Sequence, residues 1–117
     1  MAIIIDLHLA KTLVKEFQHK NSAPGGPAII TPDNKFLKGF FLDRERLELL
    51  LSNPEVKGVA VQLAQHPDFI ASEDNQFTLV YCGAKDNTDG IGDEPYINKG
   101  DIYCAPPPCP PFCTRLG

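Results

Sequence analysis

Leu7, Ala10, Leu13, Val14 and Phe17 recur at spacings of three, three, one and three, which is one apolar stripe on a 3.6-residue helix. Lys11, Lys15, Glu16 and His19 fall off that stripe. Asp6 precedes it and can accept from the free N–H groups of a first turn. Ala23-Pro-Gly-Gly-Pro27 ends the helix, because proline lacks the N–H and the two glycines permit positive φ. Ile3 to Ile5 reads as a strand stub or as the lead-in to the helix. A second helix is predicted over Arg44 to Ser52, capped by Asp43, with Leu47, Leu50 and Leu51 as its buried face. Arg44 and Glu48 are i,i+4 neighbours on it, and Asn53-Pro54 stops it.

Strand patterning follows. Val59, Val61 and Leu63 alternate with Ala60, Gln62 and Ala64, and Phe77, Leu79 and Tyr81 alternate with Thr78, Val80 and Cys82. Period two over such runs predicts half-buried strands, and two neighbouring runs pair antiparallel. Lys35 to Leu42 is a further strand candidate, with Gly39 marking a bulge or a close packing point. Ala28 to Ile30 reads as a short extended piece and Thr31-Pro-Asp-Asn34 as a turn. Lys85 to Asn98 is polar and reads as a loop, and Asp101 to Cys104 as a last short strand. The fold class expected is α+β: an antiparallel sheet of three or more strands, two helices packed on one face, and an irregular Pro/Cys-rich C-terminal tail. Residues 1–103 form the single domain of this reading and 104–117 the tail.

Composition narrows the partners. Of 117 residues, 43% are hydrophobic and 22% charged, an ordinary globular balance. The net charge of −4 offers no counterion-release attraction to a phosphate backbone, which argues against nucleic acid. It also supplies no basic patch for anionic lipid, and no apolar run approaches the roughly 20 residues that span a bilayer. Asp6 interrupts the N-terminal apolar run, and no basic segment precedes it. The start therefore does not read as a signal peptide, and a soluble, cytoplasmic protein is expected.

Cys104-Ala-Pro-Pro-Pro-Cys109-Pro-Pro-Phe-Cys113 gathers three of the four cysteines and five of the eleven prolines. Fixed φ values make Ala105 to Pro111 stiff and polyproline-like, with no internal hydrogen bonds to hold it. Three chemistries can anchor such a segment. Cys104, Cys109 and Cys113 with Cys82, or with one of His8, His19 and His66, make a four-ligand zinc set, although paired C-x2-C knuckles are missing. Alternatively the cysteines form disulfides, Cys82 stapling the tail to the sheet, which needs an oxidising compartment. In the third case the thiols are free and Ile102, Tyr103 and Phe112 dock the tail.

No catalytic motif accompanies these residues. Gly-x-Ser-x-Gly, His-Glu-x-x-His, the phosphate-binding Gly-x-x-x-x-Gly-Lys and Cys-x-x-Cys are all missing. Lys85 to Glu94 resembles a calcium loop, but Lys85 and Tyr96 stand where its first and last acids belong, so a solvated Asp-Gly turn is the better reading.

The segments Gly39-Phe-Phe-Leu-Asp43 through Leu51, Lys57-Gly-Val-Ala-Val61, Phe77-Thr-Leu-Val-Tyr-Cys82 and Cys109-Pro-Pro-Phe-Cys113 resemble a group of short uncharacterised bacterial proteins. That resemblance covers residues 36–113. It implies a helix–strand–helix–hairpin order and a C-terminal proline–cysteine signature, and brings no activity and no catalytic residue. The functional expectation is a non-enzymatic module that binds a protein partner or a second copy of itself. The polyproline tail or an exposed strand would be the contact. The alternative is a structural zinc-binding or thiol-dependent protein using the C-terminal cysteines.

Overall fold

A computed structural model describes residues 2–117. Its elements run α1 (Leu7–Ser22), β1 (Gly39–Phe40), α2 (Arg44–Leu51), β2 (Gly58–Gln65), a 3-10 turn at Pro67–Phe69, β3 (Phe77–Asp86), β4 (Tyr96–Cys104) and β5 (Pro108–Cys109). The chain is α+β. Its main sheet is antiparallel with strand order β2-β3-β4, and β1 pairs with β5 in a separate two-stranded sheet.

Both helices start where local chemistry places them. The Asp6 carboxylate accepts from the Leu9 N–H at 2.7 Å, and Asp43 accepts from the Arg46 N–H at 3.2 Å. Each satisfies one of the donors that a helix start leaves open. Arg44 and Glu48 form the expected surface pair at 3.5 Å.

Helix α2 crosses the main sheet and approaches all three strands. It lies on the face that carries Val61, Tyr81 and Tyr103 in register, and the Arg46 guanidinium sits 5.7 Å from the Tyr103 ring centre. Leu50 and Tyr81 are buried, as are Leu37 and Ala84. Leu51, expected on the buried face of α2, is half exposed.

Helix α1 is held differently. Its last turn is pinned by Asn21, 1% exposed, whose amide donates to the Ile29 and Leu37 carbonyls and accepts from the Ile29 N–H. Those acceptors belong to a small hairpin in which Ile30 bridges Phe36 around the Thr31–Asn34 turn. Beyond that anchor the stripe does not pack on the sheet. Leu7, Leu13, Val14 and Phe17 are each at least two-fifths exposed. Of the two helices, then, α2 covers the sheet face and α1 leaves its apolar side open.

Two segments depart from the sequence reading. The 35–42 run contributes only Gly39 and Phe40 to a strand, because Phe36 is already used by the hairpin bridge. Gly39 is neither a bulge nor a tight contact, since a Cβ there would meet open space. The 85–98 segment is a loop only over residues 87–95: β3 runs on to Asp86, and β4 starts at Tyr96. Where β3 faces β4, the register shifts at Cys82/Gly83, with Gly100 at φ 82° on the facing strand. Gly83 lets the strands approach closely there, as a Cβ would press Val56 and the Lys99 carbonyl at 3.1 Å.

The molecule exposes more surface than its mass calls for. A folded monomer of 12.9 kDa has roughly 6,300 Å² accessible. This chain has 8681 Å². Its radius of gyration is 16.3 Å, against about 13 Å for a packed domain of this length.

Candidate interaction surfaces and the C-terminal cysteines

The tail returns to the domain. Ala105, at φ 55°, turns the chain off the end of β4 while its N–H donates to the Leu79 carbonyl. Prolines cannot donate, so the tail pairs through carbonyls: the Lys38 N–H reaches Cys109 O at 2.7 Å and the Phe41 N–H reaches Pro107 O at 2.9 Å. β4 includes Cys104, so the strand ends one residue beyond the expected domain boundary.

Cys109 and Cys113 form a disulfide, with Cα atoms 4.7 Å apart. Cys82 and Cys104 are free. The expected ligand set of Cys82, Cys104, Cys109 and Cys113 is therefore not assembled. Two of its sulfurs are bonded to each other within the tail, and the staple between Cys82 and the tail does not form. Among the described residues, no three His, Cys, Asp or Glu side chains are grouped to share a metal. Cys82 and Cys104 do share a face of the sheet, because Cys82 pairs with Ile102 and Cys104 with Val80 on adjacent rungs. A disulfide is the one of the three anchoring chemistries that needs an oxidising compartment, which runs against the cytoplasmic expectation.

Under the tail lies an open cleft of about 450 Å³ lined by Phe41, Asp43, Arg46, Tyr81, Pro107 and Phe112 among others. Burial pushes the Tyr81 phenol above its ordinary value of 10, and the Asp43 carboxylate adds to that. Burial would raise Asp43 too, but hydrogen bonds from the Arg46 backbone and guanidinium outweigh it and hold the carboxyl below 3.8. The phenol, carboxylate and guanidinium thus form a charge-balanced floor to the cleft. The histidines are dispersed. His8 and His19 are exposed on α1, and His66 Nδ1 accepts from the Asp68 N–H, capping the 3-10 turn. The calcium-like segment is closed by protein groups: the Asn87 amide donates to the Ile91 and Glu94 carbonyls.

Two surfaces stand out. The first is the apolar arm of Ile3 to Phe17, where Ile3 and Ile4 are almost fully exposed ahead of the open stripe of α1. The second is the edge of β2. His66 N–H donates to Gln76 O, which fixes the parity of the β2–β3 ladder. Residues 58, 60, 62 and 64 therefore bond inward to β3, and the backbone groups of 59, 61, 63 and 65 point outward. Periodicity revealed both apolar faces but not that they stay uncovered.

No protein-family model matches this chain, and neither a curated protein nor a solved structure matches it. No helix among the described residues is long and apolar enough to cross a membrane.

Proposed function

We propose that this chain is a non-enzymatic protein-interaction module that docks the arm of Ile3 to Phe17 onto an apolar groove of a partner protein. One observation carries the reading: α1 is locked to the body at Asn21, yet Leu7, Leu13, Val14 and Phe17 stay open to water. Four half-exposed anchors leave on the order of 3–5 kcal/mol of burial unrealised in the free chain. Leu7, Ala10, Val14 and Phe17 follow the i, i+3, i+7 pattern by which an amphipathic helix lies in a groove. The net charge of −4 supports a protein surface over a nucleic acid as the partner.

The test is a photo-crosslinking side chain placed at position 14, with position 16 on the polar side as control, in cells that make the protein. The reading expects a discrete adduct with another protein from position 14 and none from position 16. Phe17→Glu should reduce that adduct about tenfold, the effect of losing one central anchor. No adduct from position 14, or the same adducts from both positions, would overturn the reading.

A further inference from the structure

The edge of β2 is unlike a protected sheet edge. Natural edges carry lysine, proline or a bulge that blocks another strand from adding. β4, the opposite edge, has such devices: Lys99 and Asp101 along it, and the irregularity at Gly100. β2 reads Gly-Val-Ala-Val-Gln-Leu-Ala-Gln over eight residues, with no charge, no proline and no register shift between Gly58 and Gln65. Leu63 in its middle is 82% exposed and Val61 47%.

We infer that β2 pairs antiparallel with β2 of a second copy of this chain, with a two-fold axis at Gln62, joining two sheets into one of six strands. Ladder parity supports this register. The outward-pointing backbone groups belong to residues 59, 61, 63 and 65, which are symmetric about 62. A two-fold there sets Val61 against the partner's Leu63 and Val59 against the partner's Gln65, each pair exchanging both backbone hydrogen bonds. Both exposed apolar side chains then gain a cross-strand neighbour on the same face.

Charge agrees with the pairing. An uncharged strand meets its own copy without repulsion, and the ends of the ladder are complementary. Lys57, which stands 3.8 Å from Asp86, and Asp68 both have exposed side chains. The same register brings Lys57 alongside the turn that carries the partner's Asp68. Area agrees as well. The chain exposes roughly 2,400 Å² more than a folded monomer of its mass. A standard interface takes about 800 Å² per partner, so the surplus accommodates a dimer contact and still leaves the α1 arm open.

Sedimentation of the full chain is expected to give twice the 12.9 kDa chain mass at micromolar concentration. Gln62→Cys should oxidise to a covalent dimer, because residues facing each other across a non-hydrogen-bonded antiparallel pair stand about 4.5 Å apart, within disulfide reach. Leu63→Pro should yield the monomer with an unchanged far-ultraviolet spectrum, since its N–H faces away from β3. Leu13→Glu on α1 should leave the mass doubled, which separates this pairing from the docking function of the arm. A monomer at 100 µM would overturn the inference, and so would a dimer that survives Leu63→Pro or in which Gln62→Cys fails to crosslink.

Discussion

Single side chains decide how the pieces are joined. Asn21 connects α1 to the 29–37 hairpin through three hydrogen bonds. Asn21→Ala would take the partner from the Ile29 N–H and the Leu37 carbonyl, while the Ile29 carbonyl keeps the Leu37 N–H, and should lower stability by roughly 1–3 kcal/mol, read as a fall in the urea midpoint. Asn21 is invisible to hydrophobic patterning, because it is a polar residue at a stripe position, and nothing local identifies its acceptors eight and sixteen residues away. The caps at Asp6 and Asp43 were legible for the opposite reason: their acceptor work is done within three residues. Tyr81 and Asp43 also set the pH response. The folded phenol titrates above 10, so its contribution is intact below pH 10 and fades as pH rises through the folded value. Asp43 is held below 3.8, so its contribution is present above that pH and disappears as pH falls through its folded value. Tyr81→Phe should therefore remove part of the alkaline loss of stability and leave the acid limb unchanged, measured by chemical denaturation at pH 7 and pH 11.

At the scale of elements, the legible parts are those with a strong period. β2 and both helices lie within two residues of where alternation and the helical stripe put them, and β3 starts where alternation puts it but runs on to Asp86. The start of β4 was not legible because Tyr96 to Lys99 pairs through its backbone with the polar end of β3 and has no alternation to betray it. The strand expected over residues 35–42 shrinks to Gly39 and Phe40, and β5 is not legible at all, because two-residue strands have no period and each exists only through the other. The Cys109–Cys113 link bears on that pair. It closes a five-residue loop, for which chain entropy gives about 2 kcal/mol, and it lies at the end of β5. Replacing both cysteines with serine should release β5 from β1 and leave the three-stranded sheet intact. Hydrogen exchange reads this directly: the Lys38 and Phe41 amides, which donate to Cys109 and Pro107, should lose protection while the amides of β3 keep it. Equal loss in β3 would mean that the tail supports the whole domain.

For the whole molecule, the sequence shows which positions are apolar, but not whether this chain supplies what covers them. The stripe of α1 and the alternation of β2 are both correct as patterns, and both face outward. This has a calorimetric consequence. The heat capacity of unfolding follows the apolar surface that unfolding exposes, and a 117-residue domain averages about 1.4–1.8 kcal/mol/K. Here roughly a fifth of the burial normal for this mass is missing. What is missing is largely apolar, so the deficit in heat capacity should be at least proportional. The monomeric Leu63→Pro chain is accordingly expected to unfold with a heat capacity change near or below 1.3 kcal/mol/K, and with a denaturant slope reduced in the same ratio. Binding a partner on the arm or on the edge of β2 should in turn give a negative heat capacity of association, because the surface withheld from the folded core is then buried between chains. A monomer whose unfolding matches the average for its length would show that the arm is already collapsed on the body, and the open stripe of α1 would then not be available for docking.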